Sequence, residues 1–307
     1  MTVTTAARKR SIGRYRLVTP LGKGVQSDVW VAFDESLGKS VALKIMSADR
    51  ATPAAREAFE REGALARMLT SPHTVRVLDV GTEPDGTCFL AMEHLVGCDL
   101  AQLVKQFGPL PPARVIHFGV GACHSLEEAH GHDLVHRDVK PGNLFASRVG
   151  AEHDVVKLLD FGIARTLAEA SAARVGGTPA YLAPECCGGL PATHAADIYA
   201  LGATLYHLLT GAPPFVGDTP DVIARQREEG AARPSVRLGA ALPADLEDLV
   251  MRCLAKPAQL RPQSARDLRI ALESCEQAGA WTQAEAAKFW DDDHRRAITR
   301  WTDDTHT

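Results

Sequence analysis

The sequence predicts an α+β fold, with a strand-rich first third and a mainly helical remainder, and three observations carry that prediction. Short, apolar, β-prone runs punctuated by glycine turns dominate up to Gly97. A single amphipathic helical stretch, residues 54–69, interrupts them. From Asp99 onward apolar residues recur at helical spacing, with Gly and Pro marking the stops.

Composition bounds the rest. A chain of 307 residues can fill two globular lobes with a substantial core. Hydrophobic content of 45% and charged content of 23% belong to an ordinary soluble protein. A net charge of -4 argues against nucleic acid as the main partner, because that binding leans on a strongly basic face. The seven cysteines, at 88, 98, 123, 186, 187, 253 and 275, form no C-x-x-C pair, which predicts reduced thiols in the cytoplasm. Arg8-Lys9-Arg10 is followed by no apolar run of the kind a signal peptide needs. No stretch of about 18 residues is free of polar groups, so no membrane span is expected. The most apolar segment, Ile198 to Leu209, contains His207 and reads as a buried core helix.

In chain order, residues 1–13 are polar and unpatterned and predict a flexible arm. Tyr15 to Val18, then Leu21-Gly22-Lys23-Gly24-Val25-Gln26-Ser27-Asp28-Val29-Trp30, read as strand, glycine turn, strand. Gly22 and Gly24 let the backbone approach a phosphate with its N–H groups turned toward it, although taken alone they make a plain hairpin turn. Val41-Ala42-Leu43-Lys44 is an apolar strand ending in one ammonium group aimed at the sheet's cleft face. In the helix over 54–69, Phe59, Leu65, Met68 and Leu69 supply the apolar positions, and Gly63 costs about 1 kcal/mol against Ala. Glu60 and Glu62 are both candidates to pair with Lys44. Residues 75–80 and 87–93 form strands around the turn Glu83-Pro84-Asp85-Gly86, and residues 94–97 form a hinge.

Asp99 to Gln106 and Pro112 to Gly131 are the first helices of the second part. His124, His130, His132 and His136 lie close in sequence but lack the cysteines or regular spacing of a zinc site, and His136 reads as a packed residue. The stretch His136-Arg137-Asp138-Val139-Lys140-Pro141-Gly142-Asn143 places several chemical groups on one loop. Asp138 can accept the proton of a hydroxyl nucleophile, Lys140 can offset negative charge gathering on phosphate oxygens, and Asn143 offers a hard amide oxygen of the kind Mg²⁺ takes. The apolar run Val155 to Leu159 predicts a strand that delivers Asp160, a second oxygen ligand, just ahead of Phe161-Gly162. Between there and Ala183-Pro184-Glu185 the chain is Ala- and Gly-rich and has too few apolar residues to order itself. Asp197 opens the buried helix, which stops at Gly211-Ala212-Pro213-Pro214, and amphipathic segments follow over 219–229, 243–255 and 264–275. Thr282 with Glu285 forms a capping box for a final helix over 283–298, presenting Trp281, Phe289 and Trp290 for packing; the acidic Asp291-Asp292-Asp293 reads as solvated.

The ordered set of the glycine turn, Val41-Ala42-Leu43-Lys44, His136 to Asn143, Asp160-Phe161-Gly162 and Ala183-Pro184-Glu185 makes residues 14–275 resemble the eukaryotic-like serine/threonine protein kinases of bacteria. The resemblance implies a two-lobed kinase-like fold: an N-lobe (14–93) of antiparallel strands plus one helix, a hinge (94–97), and a mainly helical C-lobe (98–275), followed by an extension (276–307). It implies ATP with Mg²⁺, or Mn²⁺, in the cleft. Leu21, Gly22 and Gly24 would cover the nucleotide, Val29, Ala42 and Leu144 would sandwich the adenine, and Met92, Glu93 and Leu95 would meet its edge. Lys44 would hold the α/β-phosphates and pair with Glu62, which the resemblance selects over Glu60. Asp138 would be the catalytic base, Lys140 would meet the γ-phosphate, and Asn143 with Asp160 would bind the metal.

Gly177 to Tyr181 would receive the substrate peptide, with Thr178 touching Asp138 and Lys140. Glu185 and Arg261 would form a buried ion pair, Asp197 would brace the catalytic loop, and Arg137 would make the chain a candidate for control by phosphorylation at Ser171 or Thr166. Lys140 following Asp138-Val139 is the serine/threonine type of loop. Three departures stand out: Ser27 replaces the usual third glycine, the activation segment has few hydroxyls, and Gly63 beside Glu62 is expected to loosen the helix. The implied partners are proteins with Ser/Thr acceptors and other copies of the chain for autophosphorylation, with no nucleic acid and no membrane span expected. Two alternatives are a pseudokinase scaffold that binds without transfer and a small-molecule kinase; the peptide platform from Gly177 to Glu185 argues against the second.

Overall fold

Alternation along Val41-Ala42-Leu43-Lys44 sets up the first of two compact units in the computed structural model. The structure describes residues 11–23, 27–161, 165–166 and 178–291. Expectations resting on Gly24, Gly162, Ser171, Gly177, the side chain of Thr166, the Ala/Gly-rich middle of 167–177 and residues 292–298 lie outside the described residues. The first unit comprises residues up to Thr70 together with Val75–Leu95. Its antiparallel sheet has the order β1-β2-β3-β4-β6-β5, built from β1 (Ser11–Ile12), β2 (Tyr15–Lys23), β3 (Asp28–Asp34), β4 (Lys39–Met46), β5 (Val77–Thr82) and β6 (Cys88–Glu93).

The period of two divides this sheet into two apolar faces. Val41 and Leu43, fully buried, join Tyr15, Ala32, Phe89 and Ala91 on one side. Met46, Cys88 and Leu90 join Phe59 on the other, under helix α1 (Pro53–Met68). Thr52 caps that helix by accepting the N–H of Ala55 at 3.2 Å, with Pro53 at its first turn, where a missing N–H costs nothing.

Two expectations are corrected here. Ser11 and Ile12, assigned to the arm, pair with Arg16 and Tyr15 as a short edge strand. Helix α1 is unbroken at Gly63, and the reason is packing: a Cβ there would meet Val80 Cγ2 at 2.6 Å and Leu90 Cδ1 at 2.9 Å. Gly63 lets the helix approach the sheet closely, so the residue that lowers helix propensity also permits the contact.

The second unit comprises Ser71–Thr74 and the chain from Val96 onward. Ser71–Thr74 belongs to it because Ser71 N donates to Glu128 at 2.8 Å, Thr74 Oγ1 meets Ser125 Oγ at 2.6 Å and Leu158 N donates to His73 O at 2.7 Å. Strands β7 (Val96–Asp99), β9 (Leu144–Val149) and β10 (Glu152–Leu158) form a sheet of order β10-β9-β7; β8 (Leu134–Val135) pairs with β11 (Arg165–Thr166). The helices are α2 (Leu100–Phe107), α3 (Pro112–Gly131), α4 (Pro184–Cys187), α5 (His194–Thr210), α6 (Thr219–Glu228), α7 (Pro234–Leu238), α8 (Ala244–Cys253), α9 (Ala265–Glu273) and α10 (Gln283–Asp291).

The core lies between α3 and α5, where Val115, Phe118, Leu126, Ile198 and Leu205 are all fully buried. Helix α5 starts at His194 and not at Asp197, which places Asp197 in the first turn, facing inward; Gly211 at φ 82° ends the helix as the left-handed cap. The five-residue α7 is too short to leave a periodic trace and was not anticipated. Among the described residues no helix is long and apolar enough to cross a membrane, and none of the seven cysteines is bridged.

Candidate active site

The second unit assembles the acidic loop from below. Helix α3 ends at His132 and β8 leads into His136, whose ring is fully buried against the edge of Phe161 (centroids 4.7 Å apart) with Nε2 donating to Leu159 O at 3.0 Å. Asp197, fully buried in α5, accepts the backbone N–H of His136 on Oδ2 and that of Arg137 on Oδ1, each at 2.8 Å. His130 Nε2 adds a third contact at 2.9 Å. Burial pushes the Asp197 carboxyl up, but the His130 hydrogen bond, the charges of His130 and His136 and the Arg137 N–H outweigh it, so the net shift is downward. This clamp holds Arg137 at φ 72°, a left-handed conformation that a non-glycine residue keeps only when its surroundings impose it. His130 had been weighed only as a metal ligand; its partner lies 67 positions away, beyond the reach of local pattern.

Beyond that turn, Asp138 is saturated with donors. Its Oδ2 accepts Lys140 Nζ at 2.6 Å and Asn143 Nδ2 at 3.0 Å; its Oδ1 accepts the backbone N–H of Thr178 at 3.0 Å and the Thr178 hydroxyl at 2.9 Å. Lys140 Nζ also reaches Thr178 Oγ1 at 2.7 Å. One hydroxyl therefore sits between a carboxylate that can take its proton and an ammonium that can offset negative charge nearby.

Asn143 closes a short 3-10 turn and is fixed at both ends: its side-chain Nδ2 also donates to Asp138 O at 2.8 Å, and its backbone O accepts Leu159 N at 2.8 Å. With Nδ2 committed to Asp138, the amide is oriented and Oδ1 is the atom it can offer to a cation. Asp160 follows the end of β10, exposed and at φ 58°, while its neighbour Phe161 is 2% exposed. The chain reverses its exposure between the two residues, from exposed Asp160 to buried Phe161. Both groups are hard oxygen donors. Among the described residues no group of three or more His, Cys, Asp or Glu is placed to hold a metal ion.

In the first unit the sheet register sets out a second group. Gly22 pairs with Val29, Val29 with Lys44 and Lys44 with Leu90; one step along, Val31 pairs with Ala42 and Ala42 with Met92. Gly22, Val29, Ala42, Lys44 and Met92 thus share one face of the sheet. Lys44 Nζ is 2.7 Å from Glu62 Oε1, with the two side chains 15% and 8% exposed. Of the two glutamates considered, Glu62 makes this pair. Leu21 lies at a bulge of β2 and Glu93 at the end of β6, where its backbone and carboxylate bracket Arg76; Leu95 follows β6. Leu144 is buried at the start of β9 in the second unit.

The segment after Thr178 is braced by the expected Glu185–Arg261 pair and by contacts of Gln226 and His207 that no motif announced. Gln226 of α6, 1% exposed, donates to Pro179 O at 2.9 Å and accepts Cys187 Sγ at 3.3 Å; the Tyr181 hydroxyl meets His207 Nδ1 at 2.7 Å. Glu185 receives both guanidinium nitrogens of Arg261 at 2.7 Å, and Arg261 further donates to the carbonyls of Ala195, Ala255 and Lys256. Arg261 is fully buried and Glu185 only partly, and each donor of the guanidinium named here has an acceptor.

Comparison with known proteins adds a family to this geometry. The family described as the protein kinase domain matches residues 15–271. Similar curated proteins include the serine/threonine-protein kinase PknB of Mycolicibacterium smegmatis, 38% identical over 268 residues, or 84% of this chain and 42% of that protein. PknB of Mycobacterium tuberculosis is 39% identical over 269 residues (84% and 42%), and PknB of Mycobacterium leprae is 37% identical over 267 residues (84% and 42%). The chain spans about two fifths of the length of these relatives.

Proposed function

Because the chain belongs to the protein kinase domain family, which spans its residues 15–271, we propose that it transfers the γ-phosphoryl group of ATP to serine and threonine hydroxyls of proteins, including other copies of itself. The observation that carries this reading is the Thr178 hydroxyl, held by Asp138 Oδ1 and Lys140 Nζ together. An acceptor hydroxyl meeting the same two groups is oriented by Asp138, which takes its proton, while Lys140 offsets charge on the phosphoryl oxygens. Bound ATP supplies the electrophilic phosphorus. Asn143 and Asp160 would hold Mg²⁺, and Mn²⁺ suits the same oxygen donors.

Lys44, fixed by Glu62, holds the α/β-phosphates. In this reading Leu21, Gly22 and Gly24 would cover the nucleotide, Val29, Ala42 and Leu144 would sandwich the adenine, and Met92, Glu93 and Leu95 would meet its edge. Residues 14–275 are the catalytic domain in this reading, with Arg137 the receiver of a phosphate on Thr166 or Ser171. This reading puts the chain in the cytoplasm, where ATP is supplied and thiols such as its seven cysteines stay reduced. The reading is tested by incubating the purified chain with Mg²⁺, γ-labelled ATP and a mixed protein acceptor. Phosphoserine and phosphothreonine are expected after hydrolysis; label confined to tyrosine, or nucleotide binding without label, would overturn it.

A further inference from the structure

Helix α10 and the residues before it lie beyond the segment that the kinase family matches, yet they close a buried charge site on the second unit. At its centre Arg114, fully buried near the start of α3, donates Nε and Nη2 to the two oxygens of Asp154 at 2.9 and 3.0 Å. Asp154 is 1% exposed and sits in β10 at φ 55°, a conformation that Asp tolerates only with local support. The same two oxygens accept Trp281 Nε1 at 2.9 Å and Trp290 Nε1 at 2.7 Å. Phe289 lies 3.8 Å from the guanidinium, which is also flanked by Trp281 at 4.7 Å and by Phe118 at 5.3 Å. Gln283 adds a strand-like pair of hydrogen bonds to His153, accepting its N–H at 2.9 Å and donating to its carbonyl at 3.1 Å.

A buried carboxylate and guanidinium are tolerated when every lone pair is met, and become costly when a donor is withdrawn. Half of the N–H donors on Asp154 come from tryptophans outside the family's span. We infer that the surface formed by the start of α3 and the β9–β10 hairpin is a docking site for a tryptophan-bearing helix, and that its occupant is this chain's own Trp281–Asp291 segment. Docking and the order of the hairpin then form one cooperative unit. Because β10 runs on to Asp160 and α3 runs on to the His136 loop, whatever draws the segment off its site loosens the support of both. The inference rests on the buried Asp154 site and not on phosphoryl transfer, so it stands or falls separately from the proposed function.

Native-state hydrogen exchange of the full chain along a denaturant series tests it. The amides of α10 and those of residues 152–158 should open together, at one denaturant dependence. Trp290→Phe, which keeps a ring and removes one N–H donor, should speed exchange in both regions by about tenfold, the effect of one hydrogen bond to a charged group, and leave β4 and β6 unchanged. Opening of α10 in the wild-type chain while 152–158 stays protected would overturn the inference without any variant. So would a Trp290→Phe effect confined to α10.

Discussion

Thr178 holds one oxygen of Asp138 twice, through its backbone N–H at 3.0 Å and its hydroxyl at 2.9 Å, from 40 positions along the chain. The Thr178 segment and the Asp138 carboxylate are therefore one hydrogen-bonded object. Thr178→Ala keeps the N–H contact and loses the hydroxyl shared with Lys140. It should lower phosphate transfer by about fivefold to thirtyfold, the range of one to two kcal/mol. Thr178→Ser should stay close to wild type. The check is a rate comparison with melting temperatures in hand.

At Gly63 two effects compete. Helix propensity alone makes Gly63→Ala stabilising by about 1 kcal/mol. The new methyl would meet Val80 and Leu90 at under 3.0 Å, and overpacking of this kind costs about 1–3 kcal/mol. Overpacking is expected to win, giving net destabilisation in chemical denaturation. Val80→Ala, which removes the nearer of the two colliding side chains, should make Gly63→Ala less costly in that background.

Asp197 gives a pH prediction whose sign follows from its surroundings. Its folded carboxyl titrates below the ordinary value, so the ionised group adds stability above the unfolded carboxyl pKa of about 3.9. That contribution is lost as pH falls through the lower folded value. Asp197→Asn turns an amide N–H₂ toward backbone donors and should cost about 3 kcal/mol at neutral pH. Its stability should also fall less steeply than that of the wild type below about pH 4. Urea midpoints measured from pH 7 down to pH 3 would check both slopes.

Arg261→Lys is expected to behave as a severe substitution. A lysine cannot reproduce the two-pronged contact with Glu185 and still reach the carbonyls of Ala195, Ala255 and Lys256. Losing the matched contacts of the buried Arg261 side chain costs about 3 kcal/mol. That should appear as a melting temperature lower by about 6–12 °C for a domain of this size.

How much of this was legible in the sequence depended on the range of the interaction. Lys140 and Asn143 reach Asp138 within five positions, and the strand before Asp160 is contiguous, so residue type and spacing were enough. The alternation of Val41 to Lys44 likewise fixed which side chains share a face. Gly63 was misread because propensity is local while the close approach to Val80 and Leu90 is tertiary. Asp197 was placed one turn early for a related reason: its side chain turns inward to backbone groups 60 and 61 positions away, and does not cap its own helix. Gln226 and His130 carried no local trace, since their partners come from other elements. The tryptophans at 281 and 290 announced packing, but nothing in the chain revealed that a buried aspartate awaited both indole N–H groups.

The role of Asp138 as proton acceptor is tested most directly by label transfer from γ-labelled ATP with Mg²⁺, comparing the wild-type chain with Asp138→Asn at saturating nucleotide. Phosphoserine and phosphothreonine are expected from the wild type and a rate at least about a hundredfold lower from the variant, which should still melt cooperatively and bind ATP. Equal incorporation by the two proteins would contradict it.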